Sequence, residues 1–512
     1  MSRNNPEQPD TAKSGMAHLP SLVKGAAINL TGTMTGKVLA FAYTFLLARM
    51  LTPGDVGLYF LSLTVFQFIG TVAVFGLNAG MVRFIPIYRA RKDRHSGDAT
   101  VQFGLWVSMA LGFLAAAGLA LFSHPLAART FDKPELARIF VAIAPALPFW
   151  VAGTVLVACT RALGRMQYGI YVRQLTEPIS RLVVTVGLFL AGLRLWGAVI
   201  AFAISVVLGS LQAWYYKVRL FPQAGRGGWL PAEWRQIIFF SLPQTFSRFL
   251  MMVILWTDTL MVGALGTAED VGLYGIAVRT AALGSVVSEA FSLMFGPMIA
   301  GRFEKGQQDE LRSILQSATK WALSLGFPVL LVFLSLPGAV LGVYGAEYVP
   351  ASGALLLLAL AQLILGAAGP IGQLLLMSGH PWLNFADNIG AAIVNVVLNA
   401  TLIPRFGLMG AATATLSSLT LVSLMRLTQV YRHTRLQPFR AATLKPFAAG
   451  GTALLTGLGF GALLADLPPV LVVLIAGGAL SLVFVAVLLA LGFDEDDRFI
   501  LARLRTRFSR EN

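Results

Sequence analysis

Charge is what this 512-residue chain lacks: only 12% of its residues are Asp, Glu, Lys or Arg, about half the share in a soluble globular protein. That leaves too little polar surface to cover water-soluble domains of this size, which excludes a soluble enzyme. With 56% of residues hydrophobic, a disordered chain is excluded as well. Cysteine is nearly absent. The single thiol, Cys159, lies inside an apolar segment, so there is no disulfide framework. The five histidines, His18, His95, His124, His380 and His433, are scattered through tail, loops and helix ends, so neither a metal cluster nor a His-based nucleophile is expected. No cofactor motif is present. Gly32-Thr33-Met34-Thr35-Gly36-Lys37-Val38 resembles a phosphate loop but is one residue short and lacks a hydroxyl residue after the lysine. Within an apolar run, Gly32-xxx-Gly36 reads instead as a surface for close helix packing. The first twenty residues have no apolar core, so the first hydrophobic segment is expected to act as the insertion signal.

Long apolar runs are what the chain has, and mean hydropathy is +0.73. They fall near 22–49, 57–80, 101–123, 139–160, 175–193, 197–215, 237–264, 271–300, 319–343, 351–378, 386–403, 406–428, 446–465 and 468–492. These runs exceed strand length and lack period-two alternation, so helix is the option that satisfies the backbone in lipid. The expectation is an all-α integral membrane protein with about fourteen transmembrane helices.

The net charge of +15 belongs with this picture rather than with nucleic acid. With the N-terminus inside, inside segments carry 29 Lys and Arg and outside segments six: Arg49, Arg129, Lys133, Arg138, Arg194 and Arg405. The bias alternates loop by loop, which predicts that both termini are cytoplasmic. The longest outside loop, His124 to Arg138, is too short to house a catalytic domain.

Thr52-Pro53-Gly54-Asp55-Val56-Gly57-Leu58-Tyr59 recurs as Thr267-Ala268-Glu269-Asp270-Val271-Gly272-Leu273-Tyr274, an offset of 215 residues. Six helices separate the copies, so the halves share one orientation. That predicts two parallel six-helix lobes about a pseudo-two-fold axis along the membrane normal. The expected organisation is a cytoplasmic tail 1–21, a lobe 22–219, a linker 220–236, a second lobe 237–433, an additional helix pair 434–492 and a basic cytoplasmic tail 493–512.

Ionisable residues inside spans are costly and face a cavity or a partner. Lys37, Arg181, Arg248, Asp258, Arg279 and Glu289 are of this kind. Asn29, Thr33 and Lys37 form one helical stripe, and Gln244 and Arg248 another. The 215 offset places Asn29 on Gln244 and Thr33 on Arg248, as expected if both lobes line one chamber. Counted from the outer end near 264–271, Asp258 and Arg279 lie about 10 Å deep, and Arg248 and Glu289 about 25 Å. Two structural ion pairs are therefore the alternative. They would leave Lys37, Arg181 and the helix-end Arg83 for a ligand, and Arg181 and Arg83 are within reach of the inner interface. A cationic chamber suits a phosphate or pyrophosphate group, with a lipid tail left in hydrocarbon. The candidate substrate-binding set is Asn29, Thr33, Lys37, Arg83, Arg181, Gln244, Arg248 and Arg279.

Leu46-Leu47-Ala48-Arg49 through Tyr59, with Gly76-Leu77-Asn78 and Val82-Arg83-Phe84, resembles the first hairpin of the polysaccharide-transporter, or lipid-linked oligosaccharide flippase, family. That family belongs to the multidrug/oligosaccharidyl-lipid/polysaccharide exporter superfamily. Thr257-Asp258-Thr259 followed by Val271-Gly272-Leu273-Tyr274 is similar to the start of its second half. Asn395-Val396-Val397-Leu398-Asn399, with Leu402 to Ala412, resembles its eleventh-to-twelfth helix turn. The resemblance covers helices one to twelve and implies a non-enzymatic transporter in a bacterial cytoplasmic membrane. It would flip undecaprenyl-diphosphate-linked oligosaccharide by alternating access for O-antigen, capsule or exopolysaccharide assembly. Membrane lipids, glycosyltransferases and a polymerase are the implied partners, with no cofactor. Asp258 and Glu289 are the candidates for a coupling proton or cation. A drug/cation antiporter and a non-transporting scaffold of glycan assembly are the alternatives.

Overall fold

The computed structural model describes residues 19–222, 224, 228, 230–285, 307–377, 381–464 and 466–492, and helix is the only regular structure among them. In chain order the principal helices are α1 (Leu19–Met50), α2 (Pro53–Ala73), α3 (Leu77–Ala90), α4 (Arg94–Leu121), α5 (Glu135–Ile143), α6 (Leu147–Ala162), α7 (Glu177–Leu190) and α8 (Arg194–Leu220). They continue as α9 (Trp234–Leu265), α10 (Ala268–Ala281), α11 (Gln308–Ser335), α12 (Pro337–Gly342), α13 (Ser352–Met377), α14 (Pro381–Thr434), α15 (Leu444–Leu463) and α16 (Pro469–Ala490). Among the described residues, eight helical segments are long and apolar enough to cross a membrane, or nine with bent α9 as one span. The expected fourteen is therefore not reached by that measure. Pro53–Ala90 forms one continuous segment, Trp382–Thr434 holds two expected spans, and α7 is only 14 residues long behind a wider π turn at Tyr171–Thr176. The span expected at 271–300 leaves the described residues after 285. Large apolar side chains such as Leu114, Leu121, Val183 and Leu190 stand on the outer faces, as lipid-facing residues do.

The chain divides into two compact units. One comprises the chain to Tyr43, Ile69–Leu121 and Val141–Phe246; the other comprises Thr44–Phe68, Phe122–Phe140 and the chain from Ser247. In the first, Leu77, Met81 and Ile85 of α3 pack against Val151, Val155 and Cys159 of α6. Gly76 has φ +61°, a left-handed turn that favours glycine, and with Gly80 it lets α3 lie directly on α9 at Ser241. A Cβ on Gly76 would strike the Ser241 carbonyl oxygen, and one on Gly80 would stand 2.8 Å from Ser241 Oγ. Gly32 and Gly36 of α1 likewise sit directly against the side chains of Ile170 and Gln174, the close packing expected of that spacing.

The repeat explains the second unit. Each copy begins a helix with a Thr-x-x-Asp cap: Asp55 N–H donates to Thr52 Oγ1 at 3.2 Å, and Thr267 and Asp270 form a reciprocal capping box. Two residues beyond each aspartate stands Gly57 or Gly272. A Cβ on Gly57 would collide with the Ala268 carbonyl, and a Cβ on Gly272 with the Pro53 carbonyl. Pro53 and Ala268 are themselves related by the 215 offset, so the copies meet in a reciprocal contact. Lys133, just before α5, closes the same region: its ammonium donates to the carbonyls of Phe131 (2.9 Å), Gly263 (2.7 Å) and Gly266 (2.8 Å).

α14 bends at Gly407 (φ 53°, ψ −133°) into two arms. Bonds between Asn395 and Ser418, Asn388 and Arg426, and Asp387 and Gln429 pair them antiparallel. This is the expected eleventh-to-twelfth helix turn.

Candidate functional site

The Gly76/Gly80 contact decides what comes next along α3. One turn further, Arg83 and Phe84 meet the face of α9 that carries Arg235, Gln236, Phe239, Phe240, Pro243 and Gln244. Together these residues line an open cavity of about 690 Å³. Arg83 is exposed on its wall, with its guanidinium 4.3 Å from the centre of the Phe240 ring and 5.8 Å from that of Phe84. The two rings meet edge to face at 5.9 Å. This packing fixes the guanidinium plane through cation–π contact and leaves its N–H groups available to a ligand. Arg235 supplies a second cation, and its guanidinium is 5.4 Å from the Trp234 ring centre. The cavity thus offers two guanidinium groups and the carboxamides of Gln236 and Gln244 against an aromatic wall, a donor set matched to phosphate oxygens.

Two of the eight sequence-derived candidates, Arg83 and Gln244, therefore come together. Arg235 joins them. The sequence had shown it only as one of the inside-loop charges, and its place at the first turn of α9 was the available signal. Asn29 has its side chain outside the described residues, while Thr33 and Lys37 are half-buried on α1. Arg181 on α7 donates Nε–H to Ser205 Oγ at 3.2 Å, with the Phe202 ring 4.8 Å and the Tyr43 ring 5.8 Å away. Arg248 is exposed on α9. Arg279 lies 3.5 Å from the Phe60 ring centre and donates Nη1–H to the Gly275 carbonyl at 3.0 Å.

Of the ion pairs that depth alone suggested, Asp258–Arg279 does not form. Asp258 accepts instead from Asn399 Nδ2 (2.5 Å), Thr415 Oγ1 (2.6 Å) and the Tyr274 hydroxyl (3.2 Å). The two residues point in different directions: Asp258 toward the α14 hairpin, Arg279 toward α2. The Asp258 carboxylate is thus satisfied by three neutral donors. Beside it, Asn399 Nδ2 also reaches Asn395 Oδ1 at 3.0 Å, and the Asn399 carboxamide oxygen is buried without a partner. Glu289 lies outside the described residues, and so does the pairing expected between it and Arg248.

One ion pair that the sequence analysis did not single out is present in α7 and the turn before it. Arg173 Nη1 meets Glu177 Oε1 at 2.6 Å, and Nη2 donates to Thr154 Oγ1 at 2.5 Å. The four-residue spacing of Arg173 and Glu177 was its signal.

Residues 22–301, more than half the chain, match the family model described as polysaccharide biosynthesis protein, and residues 243–401 match MatE. Over 161 residues the chain is 28% identical to a Haloferax volcanii protein described as the probable low-salt glycan biosynthesis flippase Agl15; this covers 31% of the chain but only 34% of that relative. It is 24% identical over 441 residues to Stage V sporulation protein B of Bacillus subtilis, covering 79% of the chain and 82% of that protein. The structure of the lipid II flippase MurJ in its inward closed conformation superposes with a TM-score of 0.73 at 14% identity, over 89% of this chain and 97% of that one. Agl15 and MurJ are flippases by description rather than enzymes. The chain belongs to the polysaccharide biosynthesis protein family, within the multidrug/oligosaccharidyl-lipid/polysaccharide exporter superfamily.

Proposed function

We propose that the chain is a flippase that carries undecaprenyl-diphosphate-linked oligosaccharide across a bacterial cytoplasmic membrane, for O-antigen, capsule or exopolysaccharide assembly. The observation that carries this reading is the cavity holding Arg83, Arg235 and Gln244 against an aromatic wall. Guanidinium groups bind a diphosphate bidentately while the aromatic rings exclude water from the pair. Lys37 and Arg248 are proposed as further cations along the path of the head group, with Asn29 and Thr33 as polar groups beside them. In this reading two lobes, 22–219 and 237–433, rock about the site, both termini are cytoplasmic, and glycosyltransferases and a polymerase act before and after the flip.

Asp258 is the proposed coupling group, with Glu289. A proton or cation bound at Asp258 competes with the donors from Tyr274, Asn399 and Thr415, and so links occupancy to the packing of α9, α10 and the α14 hairpin. The MatE match includes Asp258 and motivates the second reading, a drug/cation antiporter; two arginines in the cavity oppose an organic cation there.

Reconstitution into vesicles with a fluorescent lipid-linked oligosaccharide separates the two. Translocation of the sugar head group without efflux of organic cations is the expected result. Cation efflux without head-group translocation would overturn the flippase reading.

A further inference from the structure

A second concavity lies wholly within the second unit, in its part from Ser247 onward. Along the first arm of α14, Phe385, Asn388, Ala392, Ile393 and Val396 recur at helical spacing and face Met251 of α9 across a groove of about 300 Å³. From Phe385 to Val397 it runs ~18 Å at the helical rise, so its width is on the order of one hydrocarbon chain. Ala392 is the small residue that deepens its floor. Met251, Ile393 and Val397 remain more than half exposed, an apolar surface that only lipid would tolerate.

One end of the groove is different. Trp382 is 75% exposed and its ring lies 5.2 Å from Phe385, the placement of an aromatic anchor at the membrane interface. Exposed Arg248 stands one turn before Met251 on the same face of α9. Asn388 has its carboxamide oxygen committed to Arg426 Nη2 at 2.7 Å, so its NH2 group is the donor that remains. The groove is therefore a dry channel about one chain wide, with the Asn388 carboxamide in its lining and a cation, Arg248, one helical turn from Met251. A phospholipid brings two acyl chains to one head group, whereas a polyprenyl lipid brings a single chain to a phosphate.

We propose that this groove holds the isoprenoid chain of the lipid-linked substrate, with Arg248 as one of the further cations that its head group passes. The assignment rests on the flippase reading and adds the path of the tail to it. Filling the slot at Ala392 blocks the chain, and removing Arg248 loosens the head group without closing the channel.

The test places a photo-activatable benzophenone side chain at position 393 in the full-length protein in vesicles, offered either labelled polyprenyl-diphosphate sugar or labelled phosphatidylglycerol. The polyprenyl lipid is expected to crosslink, in competition with unlabelled polyprenyl phosphate and not with phospholipid. Arg248→Ala is expected to lower the yield roughly tenfold, as for the loss of one charge-assisted hydrogen bond. Ala392→Trp is expected to slow head-group translocation at equal membrane abundance. Crosslinking to phosphatidylglycerol alone, or no crosslink in vesicles that translocate, overturns the groove assignment and leaves the flippase reading intact. A polyprenyl crosslink in vesicles that translocate nothing upholds the groove and overturns the flippase reading. The crosslink does not depend on the tryptophan variant, so a misfolded Ala392→Trp protein leaves the decision to position 393.

Discussion

Placing a methyl group on Gly57 or Gly272 drives the two copies of the repeat apart. The Cβ of an alanine at 57 would overlap the Ala268 carbonyl oxygen and lie 2.8 Å from the Gly272 nitrogen, while one at 272 would overlap the Pro53 carbonyl and lie 3.1 Å from the Gly57 nitrogen. All four atoms are backbone, so no side chain can rotate away and the helices α2 and α10 must separate. Overpacking of this kind costs about 1–3 kcal/mol, read as a fall of several degrees in melting temperature. Because either methyl group opens the same contact, Gly57→Ala/Gly272→Ala should cost clearly less than the two single changes added together. Melting of detergent-purified protein, followed by intrinsic tryptophan fluorescence, measures all three variants. Neutral single variants would show that the helices do not approach this closely, and additive costs would show that the two glycines do not share one contact.

Lys133→Met keeps most of the side-chain volume but leaves the carbonyls of Phe131, Gly263 and Gly266 without their shared donor. It should lower stability by about 1.5–3 kcal/mol per charge-assisted bond not replaced by water, and an unchanged melting temperature would count against the clip. Glu177→Ala strands Arg173 beside Thr154 and should cost about 3–5 kcal/mol, with the Arg173→Ala/Glu177→Ala double variant recovering part of that loss; a double variant no more stable than Glu177→Ala would refute the pairing. Asp258→Asn keeps the side-chain shape while removing the charge, so translocation, compared at equal amounts of folded protein, should lose its dependence on the coupling ion or on pH. A wild-type ion and pH profile in that variant would remove Asp258 from coupling.

Helical spans, the repeat and the glycine-mediated close packing of α1 were legible in the sequence because they depend on local periodicity and on chemistry at fixed spacing. Rotation about the helix axis was not. Counting residues from the outer loop places Asp258 and Arg279 at one depth, yet depth carries no azimuth, and the side chains diverge toward Asn399 and Thr415 on one side and Phe60 on the other. The same limit explains Lys133 and Arg235. Each counted as a loop charge that sets orientation, and each gained its role from an element far along the chain: Gly263 lies 130 residues beyond Lys133, and α3 reaches α9 through Gly76 and Gly80. Arg83 and Gln244 were candidates as a helix-end charge and as part of a helical stripe with Arg248, but the cavity that joins them depends on that glycine contact.

Head-group translocation by the Arg83→Gln/Arg235→Gln double variant, compared with wild type in vesicles of equal protein content, addresses the cation-lined cavity itself. Both substitutions keep a hydrogen-bonding amide and remove the charge. Loss of two charge-assisted contacts predicts a drop of roughly a hundredfold or more in translocation at limiting substrate, with the melting temperature retained. A folded double variant that moves the lipid-linked oligosaccharide at the wild-type rate would contradict the assignment of this cavity to the diphosphate.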